Sequence, residues 1–151
     1  DLDASYVPAY YQLAIALDPK ERITLPGGDR ATQQDLLLVS LAMGYEHATV
    51  YYMLALGLKP GKTLMLPDGA HMSKQALFLK ALDFNDATVN QGVYLALAKT
   101  LDAGDSLPLL DGRHMTKAQL LAEHERRNPQ YAVPTPVSPK KKSIFNWLRG
   151  K

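Results

Sequence analysis

The chain contains no cysteine, which rules out a disulfide framework and every cysteine-ligated metal site. No apolar run approaches the roughly 20 residues that cross a bilayer, and no signal-peptide pattern opens the chain. The start at Asp1, without a methionine, reads as a piece of a longer protein. No GxSxG, HExxH or GKS/GKT motif occurs, so nucleophile-elbow, zincin and P-loop chemistries have no support. Acidic residues are absent from 140–151, where Lys140, Lys141, Lys142, Arg149 and Lys151 gather. That leaves 12 basic against 15 acidic residues in the rest of the chain. A mildly acidic body with a basic tail is not the footprint of a nucleic-acid binder, and no nucleic-acid partner is expected.

What is present is ordinary in bulk and periodic in detail. With 151 residues, 46% of them hydrophobic and 21% charged, the chain suffices for one soluble domain with a sizeable core. Leu66-Pro67-Asp68-Gly69-Ala70-His71-Met72-Ser73-Lys74-Gln75-Ala76-Leu77 recurs as Leu109-Leu110-Asp111-Gly112-Arg113-His114-Met115-Thr116-Lys117-Ala118-Gln119-Leu120. A weaker copy runs from Leu25 to Leu36. Gly28, Gly69 and Gly112 are spaced by 41 and 43 residues, and self-similarity at such a period marks a stacked repeat architecture.

Each copy sits in the same cycle. Tyr6–Leu17, Ala48–Leu58 and Val89–Leu101 read as first helices. The Pro-Gly and Asp-Gly turns read as hairpins, with Met72 and Met115 pinning two of them to the core. Thr32, Ser73 and Thr116 read as N-caps of second helices. Seven columns keep the register: Tyr10/Tyr51/Tyr94, Leu13/Leu54/Leu97, Ala14/Ala55/Ala98, Leu17/Leu58/Leu101, Thr32/Ser73/Thr116, Leu36/Leu77/Leu120 and Leu37/Phe78/Leu121. The alanines let paired helices approach, and the column tyrosines are expected to fill the space between repeats.

Leu2–Ala14 resembles the junction of tetratricopeptide repeats, and Ala76–Asn85 is similar to that family's second helix and exit. The resemblance covers residues 2–132 as three repeats, about 4–44, 45–86 and 87–129. It departs from the roughly 34-residue period by a hairpin inserted between the two helices of each repeat. The implied fold is all-α, an α-α superhelix of three helical hairpins with those insertions. The implied function is a protein-interaction module holding a partner peptide or helix in a concave groove lined by first helices. Carried onto matching positions, the groove candidates are Tyr11, Gln12, Ile15, Tyr52, Met53, Leu56, Leu95 and Lys99. The alternative is a non-catalytic, substrate-positioning or targeting region of a larger enzyme or of a secreted bacterial effector. The expected compartment is the cytoplasm, or a host cell in the effector case. No cofactor or enzymatic role is expected, and the oligomeric state is left open.

His71 and His114 share one hairpin position and read as exposed strand residues rather than metal ligands, because neighbouring helices stand about 10 Å apart. Asp68 and Asp111 lack the further carboxylates that calcium needs and read as turn formers. The three hairpins on one edge suggest a second surface on the convex side. From Val133 the chain is a proline-rich linker, followed by a basic amphipathic tail (133–151 in all) bearing Ile144, Trp147 and Leu148. These three are expected to contact either the last repeat, as a cap, or a membrane surface or partner groove; a disordered basic address is the third reading.

Overall fold

In the computed structural model, residues 7–128 are described. Six helices and six strands alternate in three passes of the same pattern. The first pass is α1 (Val7–Ala16), β1 (Arg22–Thr24), β2 (Arg30–Thr32) and α2 (Gln33–Ala42). The second is α3 (Ala48–Gly57), β3 (Thr63–Met65), β4 (His71–Ser73) and α4 (Lys74–Asp83). The third is α5 (Ala87–Lys99), β5 (Ser106–Pro108), β6 (His114–Thr116) and α6 (Lys117–Arg127).

The expectation of an all-α superhelix is corrected. Helix accounts for 52% and strand for 15% of the described structure, a mixed α and β fold. The hairpins are regular elements with their own backbone ladders, forming three separate two-stranded antiparallel sheets. They close identically. Leu25, Leu66 and Leu109 each donate a backbone N–H four residues ahead and accept one from the glycine three residues on. Gly28, Gly69 and Gly112 take φ of 90°, 85° and 83°, a region that a side chain disfavours. The middle residue of each strand faces inward, so the cross-strand pairs Ile23–Ala31, Leu64–Met72 and Leu107–Met115 pack toward the helices. A lone two-stranded ribbon is marginal in water; this inward contact holds each in place.

Capping sets the helix starts. Thr32 and Thr116 form capping boxes with Asp35 and Gln119, and the Ser73 hydroxyl accepts from Ala76 N–H. His47 caps α3 and Asp86 caps α5. The Asp86 carboxylate accepts from the Thr88 and Val89 backbones, so α5 starts at Ala87, two residues before the sequence reading placed it.

Within each pass the two helices pack against each other, and successive passes meet through α2 with α3 and α4 with α5. One core runs from Tyr11 to Leu120. Ala14, Ala55, Ala98, Leu36, Leu77 and Leu120 are all fully buried, as their columns require. Leu13, by contrast, is exposed; among the described residues no element precedes α1 to cover it.

A further column joins the elements. Gln33, Lys74 and Lys117, the first residues of the second helices, each reach back 16 residues to the end of the preceding helix. Gln33 Nε2 donates to the Leu17 carbonyl, Lys74 Nζ to Leu58 and Lys117 Nζ to Leu101, at 2.7, 3.1 and 3.0 Å. Carbonyls that a helix end leaves open are thereby paired.

Candidate binding clefts

Adjacent tyrosines on α3 point to different neighbours, because successive helical residues are turned by about 100°. Tyr51 stacks on Phe84 at the end of α4, 5.6 Å between ring centres. Burial, with Glu46 and Asp68 adding to it, pushes its hydroxyl pKa up. In the third pass Arg127 replaces Phe84, its guanidinium carbon 5.0 Å from the Tyr94 ring. Tyr51 and Tyr94 thus each pack on the end of their own pass's second helix, and Tyr94 also lines a cavity with Leu79 and Leu82 of the pass before it.

Tyr52 reaches forward to the next pass. Its ring lies 5.9 Å from Phe78 and its hydroxyl sits against the backbone of α5 at Gly92; burial raises its pKa. Tyr11 does the same one pass earlier. It is 9% exposed, 5.0 Å from the Tyr45 ring and 6.0 Å from that of His47. Both tyrosines, offered above as groove residues, are packed between passes.

The other candidates divide. Gln12 and Ile15 are exposed, Met53 and Leu95 half-buried, and Leu56 and Lys99 exposed. Of all eight, Leu56 and Lys99 are brought together, in a cleft of about 580 Å³ between α3 and α5. Ala96 forms an apolar wall backed by the fully buried Phe78, and the loop of Pro60, Gly61, Lys62 and Thr63 closes one side. Its floor is fixed by hydrogen bonds: Gln75 Nε2 donates to Thr100 Oγ1, and that hydroxyl to the Leu97 carbonyl. Lys74 lines the cleft while held on the Leu58 carbonyl. No carboxylate lines it, and Lys62 and Lys99 have no ion-pair partner among the described residues.

Phe78, Ala96, Lys62 and Lys74 were missed as cleft residues. Phe78 was legible only as a core column, and the lysines belong to turns and caps with no motif of their own. His71 and His114 are exposed strand residues. Among the described residues no group of three His, Cys, Asp or Glu side chains could hold a metal ion, and no helix is long and apolar enough to cross a membrane. Ile144, Trp147 and Leu148 lie outside the described residues. No protein-family model matches the chain, and neither a curated protein nor a solved structure does.

Proposed function

We propose that the chain is a protein-interaction module that holds a partner peptide or helix in the cleft between α3 and α5. The observation that carries this reading is the lining: apolar Leu56 and Ala96, backed by the buried ring of Phe78, beside Lys62 and Lys99. An apolar pocket with a few placed polar groups suits a side chain seated in apolar contact and oriented at its edge. The partner's chemistry follows: an apolar or aromatic anchor flanked by a carboxylate. The resemblance to tetratricopeptide repeats, whose groove is lined by first helices, supports the choice of this cleft.

Selection from a displayed random-peptide library tests it. Enriched peptides should pair an apolar anchor with Asp or Glu. Leu56→Asp and Lys99→Glu should each weaken them by about tenfold, a loss typical of a central interface contact. Equal binding to the Leu56→Asp/Lys99→Glu double variant, or no enrichment, would remove the cleft from consideration.

A further inference from the structure

The columns of the first helices are of two kinds. Ala14, Ala55 and Ala98 have no exposed surface in any pass, so they face the second helix that every pass has. Leu54 and Leu97 are 1% and 0% exposed, whereas Leu13 in the same column is 38% exposed. Val50 and Val93 are fully buried, whereas Ala9, which shares their register, is exposed. These two positions are closed only where another pass comes before, through the contacts of α2 with α3 and α4 with α5. α1 carries no charged residue. Its open face, among the described residues, is half of a junction that the fold makes twice elsewhere.

Both internal junctions show what closes such a face. The covering helix brings two leucines three residues apart, Leu38 and Leu41 in α2 and Leu79 and Leu82 in α4, all half-buried and packed against the core. Residues at that spacing share one side of a helix. Leu79 and Leu82 border the same cavity as Tyr94 of α5, so that side is turned toward the next pass. α6 departs from the pattern: Ala122 and Glu125 stand in these places, and both are exposed. A second copy stacked head to tail would set the Glu125 carboxylate where α2 and α4 bring a leucine, and burying an unpaired charge is costly. The chain therefore does not offer its own α6 as the missing half.

We propose that the α1 face centred on Ala9 and Leu13 docks an amphipathic helix of a partner protein, one that presents leucine-sized residues at i and i+3 and no charge on that side. The partner helix lies against α1 as α2 lies against α3. Its chemistry differs from that of the α3–α5 cleft, where lysines border the apolar wall. The surfaces are also separate, because Ile15, Leu56 and Lys99 occupy a different column from Leu13, Leu54 and Leu97. The proposal is therefore independent of the peptide reading of that cleft.

The probe is a synthetic peptide with the sequence of residues 73–86, which carries the leucine pair of α4. A covalent staple away from Leu79 and Leu82 holds it helical, since so short a helix is marginal alone. Titrated into the full chain and followed by amide NMR, it should shift the resonances of Ala9, Gln12 and Leu13. The same peptide with Leu79→Lys and Leu82→Lys should bind about tenfold more weakly or worse. Leu13→Lys in the chain should weaken the unaltered peptide to the same degree while melting within about 2 °C of the parent, as an exposed substitution does. Equal binding of the two peptides, shifts confined to α3 or α5, or no binding would overturn the proposal. So would a clearly lower melting temperature for Leu13→Lys, which would show that the chain covers this face itself. A dimer that Leu13→Lys dissociates in sedimentation would give the face to a second copy and overturn it as well.

Discussion

Gly92 marks a point of close approach between α5 and α3, and it sets what Tyr52 can do. A Cβ built there would lie 2.7 Å from the Tyr52 hydroxyl oxygen and 3.1 Å from the ring carbon that bears it. Replacing a helical glycine by alanine gains roughly 0.5–1 kcal/mol of helix propensity, but forcing an extra methyl into a packed contact costs about 1–3 kcal/mol. Overpacking wins. Gly92→Ala should lower stability by about 1–2 kcal/mol in urea unfolding, and adding Tyr52→Phe should recover part of the loss by deleting the nearer atom. A Gly92→Ala protein as stable as the parent would show that Tyr52 does not need this approach. The sequence offered no sign of it: a glycine inside a helix pattern reads as a mild defect, and the ring that explains it comes from 40 residues upstream.

At the scale of elements, the units are tied by side chains that close helix ends. Lys74 and Lys117 each donate to a leucine carbonyl just past the end of the helix before them, and a hydrogen bond to a charged group contributes roughly 1.5–3 kcal/mol. Lys74→Met and Lys117→Met should each cost about 1–2 kcal/mol in denaturant unfolding, with the slope unchanged. Lys20→Met, at an exposed turn, should stay within about 0.5 kcal/mol of the parent. If both cap variants matched Lys20→Met, the contacts would be incidental. The hairpins and the caps of the second helices were legible because turn glycines and N-cap hydroxyls act within a few residues. The lysine column was not, since glutamine fills its first place and its partners are carbonyls. The early start of α5 was missed for a local reason: Asp86 was assigned to the connection rather than to the cap.

At the scale of the whole molecule, acid sensitivity should concentrate at one end. Asp111 and Arg113 pair in solvent, and such a pair contributes little to stability. Glu123 is better covered. Hydrogen bonding from Arg126, with Arg127 adding to it, holds its pKa down from the ordinary 4.5 to about 2. The folded pKa is the lower one, so the stabilisation is complete above about pH 4.5 and is lost as pH falls toward about 2. Thermal unfolding across that window should show a falling midpoint in the parent and a flatter one in Glu123→Gln. Parallel curves would place the acid response elsewhere.

The sequence by itself determined what short-range chemistry controls: the period of 41 and 43 residues, the turns built on Gly28, Gly69 and Gly112, the second-helix N-caps, and the alanine and leucine faces that must be buried. Its reading of the whole as an all-α array failed because three short ladders, each legible as an insertion, count as sheets once their backbones pair. Tertiary structure alone decided that Tyr51 stacks on Phe84 of its own pass while its neighbour Tyr52 reaches α5 of the next. It also decided that Leu56 and Lys99 share a cleft that Tyr11 and Tyr52 do not line, and that Asn90 Oδ1 is buried without a hydrogen-bond partner among the described residues. These outcomes depend on how helices approach one another, and that geometry is settled by side chains far apart in the chain packing together at once.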